Sequence, residues 1–185
     1  MYAGLDAWPE PPIDGDEAAT LIGSLDRQRA TFAWKAGGLD ADGLRATVGA
    51  SSPTLGGLLK HLALVEDHYF SVRLFDRSPS PPFDTADWDA NPDWDWSSAT
   101  EDSPQYLYEL WHSRVDESRR LVALALNEGG LSRKMAQPWP DGRSPSLRRT
   151  LVDLIEENAR HVGHADLIRE SIDGLVGEDP PGIHG

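Results

Sequence analysis

Apolar residues recur along this chain at three- and four-residue intervals, the period of a helix buried on one side. No stretch shows the two-residue alternation of a half-buried strand. Four segments carry the helical period. The first, DEAATLIGSLDRQRATFAWKA at 16–36, sets Leu21, Leu25, Phe32 and Ala36 near one face. Its early acids suit a helix N-terminus, and Gly37-Gly38 ends it. The second, TLGGLLKHLALVEDHYFSVRLF at 54–75, follows the start signal SSPT. The third opens with Ser103 as N-cap and Pro104 at the first helical position, and Gly129-Gly130 stops it. The fourth begins near SPSLRRTLVDL and stops at Gly174. Each is about 20 to 30 residues, long for a globular helix. Helices of matched length with one apolar stripe apiece bury those stripes best against one another. The expected fold is therefore all-α, a four-helix bundle with long inter-helix loops.

Two connections are long. Residues 76–102, DRSPSPPFDTADWDANPDWDWSSATED, are rich in Pro, Asp and Trp, and residues 129–145 contain QPWPDGRSP. The link between the first two helices, GGLDADGLRATVGASSP, is expected to hold one helical turn. At 185 residues the chain suits one domain with a full core and is short for two. We expect a single domain over 1–185 with its core at about 14–174, a flexible acidic N-terminus and a frayed C-terminal tail, GEDPPGIHG.

Charge and composition remove several functions. A net charge of −14 with scattered Lys and Arg argues against nucleic acid, because phosphate binding needs clustered cations. No apolar run is long enough to span a membrane. The start MYAGLDAWPEPPIDGDE lacks both a basic and an apolar region, so it does not read as a signal peptide. A cytoplasmic location is expected. The chain has no cysteine, which excludes disulfides, thiolate metal ligands and a cysteine nucleophile.

Candidate chemistry lies in the last helix. With about 100° per residue and Glu157 at zero, His161 falls near 40° and His164 near −20°. Leu147, Leu151, Leu154, Ala165, Ile168 and Ile172 share that side, so the three polar groups sit in the buried stripe or at its edge. Arg149, Glu156 and Arg160 fall on the solvent side. In the second helix His61 lies beside the stripe of Leu58, Leu62, Val65, Tyr69 and Val72, and His68 follows on nearly the same line. Each polar group buried without a partner costs about 1–3 kcal/mol. A metal ion compensates best, although Glu157 and His161 can also simply pair at i, i+4.

GLLKHLALVE in the second helix together with EENARHVGHADLIRE in the last resembles the DinB-like metalloprotein superfamily. LDRQRATFAWKAGGL and the loop DWDANPDWDW place the resemblance in its actinobacterial mini-circle-protein branch. The resemblance covers roughly residues 14 to 174. It implies a bundle, commonly dimeric, with a divalent metal on three side chains: His61 from the second helix, and Glu157 and His161 in the register of an H-x-x-x-H pair, followed by Gly163. Glutamate replaces the first histidine of that pair, as in the related mycothiol-dependent maleylpyruvate isomerases. His164 falls where many members have glutamine, as a fourth ligand, a group supporting a ligand, or the acid-base catalytic residue.

Two histidines and a carboxylate leave metal positions open, as catalytic sites do. Zinc is the first choice, and this donor set also admits Ni, Fe, Mn or Co. The resemblance implies a low-molecular-weight thiol, mycothiol or bacillithiol, as cosubstrate. The expected function is a metal-dependent transferase, isomerase or hydrolase of small molecules. The alternative is a non-enzymatic bundle with a structural metal or none, binding a ligand or partner. The tryptophans of the 76–102 loop are expected to plug a bundle end or a dimer seam, with a lid over the site as the other reading. Its aspartates, Asp84, Asp87, Asp89, Asp93 and Asp95, read as a solvated face, since no regular calcium-loop pattern is present. Seven tryptophans are many for one slim bundle, which argues for a homodimer with its interface on the first or third helix.

Overall fold

A computed structural model describes residues 8–181. Residues 1–7, the first part of the segment that does not read as a signal peptide, and the last four residues of the tail lie outside the described residues. The four long helices of the sequence pattern are present. Helix α1 is Glu17–Ala36, α2 is the single turn Ala41–Arg45, and α3 is Leu55–Glu66. A short α4 covers Trp94–Ser98, α5 covers Pro104–Gly129 and α6 covers Leu147–Asp173. The fold is all-α, a helical bundle in class; among the described residues the only extended pairing is an isolated bridge between Lys134 and Ser146.

The helix ends form for the reasons the sequence suggests. Asp16 accepts from the Ala19 N–H at 2.8 Å and caps α1, and Asp40 accepts from Gly43 at 2.9 Å to start α2. Ser103 caps α5 through the Tyr106 N–H, with Pro104 next to it. Gly130 and Gly174 follow α5 and α6 with φ of 63° and 77°, values that favour glycine. No helix among the described residues is long and apolar enough to cross a membrane.

The second long helix departs from the pattern. After Glu66 the chain continues as a π-helical segment, Asp67–Arg73. A π-turn holds an extra residue, so the buried face moves on by about one position. The expected stripe ran through Tyr69 and Val72; the buried residues are Asp67, Phe70 and Ser71, with Leu74 beyond. His68, expected beside His61 on the inward line, is exposed.

The chain divides into two compact units, Met1–Leu58 with Leu151–Gly185, and Leu59–Thr150. In the first, Leu25, Phe32 and Ala36 of α1 and Leu151, Leu154, Ala165 and Ile168 of α6 are buried. Arg169 donates to the Lys35 carbonyl at 3.0 Å and the Gly37 carbonyl at 2.6 Å, closing the C-terminus of α1. Lys35 pairs with Asp166 at 2.9 Å. Arg27 meets Glu10 at 3.1 Å and pairs with Asp179, while the Thr31 hydroxyl donates to the Glu178 carbonyl.

The second unit buries Leu107, Trp111, Val115, Leu121, Val122 and Ala125 of α5. Asp67 opens the π-segment and accepts from the Ser80 N–H at 2.9 Å, with Arg114 at 3.4 Å. These bonds pin the start of the 76–102 loop. Its other end is held by buried Lys60, which meets Asp102 at 2.6 Å and lies over the Trp94 ring at 4.3 Å. None of the tryptophans is strongly exposed. Cations lie over Trp8, Trp34, Trp94 and Trp139, and Trp111 is in the core.

Burial holds the pKa of His112 in α5 below its ordinary 6.5. His68 is lowered as well, first by desolvation and then by Arg73; the residue touches solvent, but it borders an apolar cavity that accounts for the direction. Below pH 6.5 the unfolded chain therefore binds more protons at these sites than the folded one. Their contribution to stability is intact above that pH and declines as pH falls toward the lowered folded values. Thermal melts in chelator should show a lower Tm at pH 5.5 than at pH 7.5, and the double variant His68→Asn, His112→Asn should shrink that difference.

Candidate metal centre

Helix α6 brings its carboxylate and imidazoles together as its period requires. His161 Nε2 lies 3.1 Å from Glu157 Oε1, one turn earlier. His164 Nδ1 lies 3.3 Å from His161 Nδ1, with the rings tilted by 59°. Two imidazole nitrogens at that distance must differ in protonation, one N–H donating and the other nitrogen accepting. His161 is buried, whereas Glu157 and His164 are half-buried. Arg149, Glu156 and Arg160 are exposed, as their positions on the wheel require.

His61, on α3, is set by the Trp-Asp loop. Its Nδ1 lies 2.8 Å from Asp95 Oδ2, and the Trp96 ring stacks on it at 4.6 Å and 25°. A carboxylate on Nδ1 fixes the tautomer with the proton there, and Nε2 then presents a lone pair. Metal-binding histidines commonly have this outer support.

Asp95 corrects the sequence reading. Asp84, Asp87, Asp89 and Asp93 are exposed, as a solvated face should be, but Asp95 is only 3% exposed and serves His61. The available signal was its position between Trp94 and Trp96. An aspartate flanked by two indoles is poorly placed to be solvated on both sides. The loop tryptophans also do more than plug an end, since Trp96 covers the candidate ligand.

One donor atom each from His61, Glu157 and His161 lies within 4.8 Å of the other two. His61, Glu157 and His161 are the residues the sequence offered as candidate ligands; His164 lies against His161, and His68 is exposed. Two imidazole nitrogens and a carboxylate oxygen suit a first-row divalent ion, and the supported tautomer of His61 fits a ligand role.

Two histidines and a glutamate grouped in an all-α chain agree with the DinB-like class that the sequence resembles. Residues 20–174 match the family Mycothiol-S-transferase, and the chain belongs to that family. No curated protein matches it.

Proposed function

We propose that this chain is a metal-dependent S-transferase joining the sulfur of mycothiol, or a similar low-molecular-weight thiol, to a small electrophile in the cytoplasm. The observation that carries the reading is the grouping of His61, Glu157 and His161 in a cysteine-free chain of the mycothiol S-transferase family. The sulfur must come from outside, and those three residues would hold a divalent ion, zinc first. When bound, such an ion supplies positive charge that favours the thiolate of a thiol beside it near neutral pH. The sulfur lone pair forms the new C–S bond, and the leaving group departs with the pair of the bond it breaks. Asp95 keeps the His61 ring in one tautomer and orientation. His164, next to His161, is the acid-base group that takes the thiol proton.

The test is conjugation of mycothiol to monochlorobimane by zinc-loaded protein, with chelated protein as control. Metal-dependent formation of the S-conjugate is expected. Zinc-loaded protein giving only the uncatalysed rate would remove the transferase reading and favour the non-enzymatic bundle.

Asp95→Asn should weaken zinc affinity by about 10–100-fold, the usual effect of losing a group that supports a ligand. Competition with a chelator of known affinity measures it, and an unchanged constant would deprive Asp95 of this role. The account also proposes a homodimer. Its interface is placed on α1 or α5, where Tyr106 of α5, 38% exposed, gives one apolar contact to cover. Sedimentation at micromolar concentration should show twice the 20.3 kDa chain mass, and a single-chain mass throughout would refute the dimer.

A further inference from the structure

Beside the His61 region, and wholly within the Leu59–Thr150 unit, lies a cavity of about 420 Å³. Leu64, Val65, His68 and Val72 line one side, and Phe83 and Trp88 from the 76–102 loop line another. Leu64 and Val65 stand about one helical turn beyond His61 on α3. The loop makes the same connection. Trp94 makes T-shaped contacts with Phe83 and Trp88, and two residues later Trp96 stacks on His61. The wall of the cavity and the cover of the candidate ligand are thus one aromatic assembly.

The lining contains no Lys or Arg. Its one carboxylate, Asp67, accepts from Ser80 and Arg114. The net charge of −14 further disfavours an anion. The volume lies in the range of small-molecule pockets, and the surface is apolar with few polar groups, as such pockets usually are. A thiol carrying a sugar, as mycothiol does, would lose hydration here without replacement hydrogen bonds. An uncharged aromatic or branched aliphatic body would not. His68, held below its ordinary pKa, is a neutral imidazole near pH 7 that exchanges one hydrogen bond with a carbonyl or hydroxyl.

We propose that this cavity binds the apolar body of an uncharged small molecule, the electrophilic partner of the thiol, with its reactive end directed toward His61. Its role as a co-substrate site rests on the S-transferase reading; its existence as a binding site does not.

Titration with the neutral fluorescent probe N-phenyl-1-naphthylamine separates the two. Wild-type protein should bind one equivalent saturably. Val72→Trp, which fills the cavity, should weaken binding at least tenfold, and Leu64→Trp provides a second filling variant. Leu167→Ala, at an exposed residue outside the lining, should leave binding within about twofold. In conjugation assays Val72→Trp should raise KM for monochlorobimane and leave KM for mycothiol unchanged. Probe binding sensitive to the filling variants, with no conjugation by any protein, would retain the site and discard the transferase. Unsaturable binding, or binding indifferent to both filling variants, would overturn the inference.

Discussion

Replacing His161 with alanine is expected to remove stoichiometric metal and to lower thiol transfer by more than about 100-fold. His161 supplies one of only three proposed donors, and loss of a mere supporting group already costs 10–100-fold. The residue is 7% exposed, so water entering the vacated space is a poor substitute for a fixed imidazole. His61→Ala should behave the same way. His164→Ala is the informative contrast, because its ring contacts His161 at 3.3 Å and it is assigned to proton transfer. That variant should keep at least part of its metal and lose activity. Metal content near wild type in the His61→Ala, His161→Ala double variant would refute the ligand set. Complete metal loss in His164→Ala would move His164 into it.

The largest expected loss of stability comes from Arg169→Ala. Arg169 is 9% exposed, and its guanidinium donates to the carbonyls of Lys35 and Gly37 and pairs with Asp173 at 2.8 Å. These carbonyls close the C-terminus of α1, where a helix has no partners of its own for them. Truncation strands them and removes the cation that holds the Asp173 carboxyl below its usual range, chiefly by hydrogen bonding. Each stranded carbonyl costs about 1–3 kcal/mol, and the ion pair adds little because the Asp173 side chain is 41% exposed, so a loss of about 3 kcal/mol is expected. At this chain length each kcal/mol is worth about 2–4 °C, so a Tm lower by roughly 10 °C is expected. Arg169→Lys should recover only part of it, since one ammonium does not reproduce the planar fork. A Tm within a degree or two of wild type would show that the clamp contributes little.

The helices and the shared face of Glu157, His161 and His164 were legible for the same reason: both follow the 3.6-residue period, whereas the family resemblance joined His61 to them. Asp16, Ser103 and Pro104 marked the helix starts, and Gly130 and Gly174 the stops. The spacing of Glu157, His161 and His164 placed them on one side of α6 before any coordinates. Where the period broke, the pattern misled. The π-segment at Asp67–Arg73 has no composition signal of its own, and its extra residue turned His68 outward and moved burial from Tyr69 and Val72 to Phe70 and Ser71. Asp95 was obscured differently. The two flanking indoles were a local hint, but its burial depends on where the 76–102 loop returns to α3. That tertiary path sets Asp95 against His61 and leaves Asp93 in water.

The central claim is that an external thiol meets a metal held by His61, Glu157 and His161. Cobalt(II) substitution followed by titration with mycothiol tests it most directly. The chain contains no cysteine, so any thiolate-to-cobalt charge-transfer band must arise from the added thiol. One cobalt per chain is expected, with a near-ultraviolet band that saturates with mycothiol and is absent from His161→Ala. One cobalt per chain with a spectrum unchanged at saturating mycothiol would contradict it.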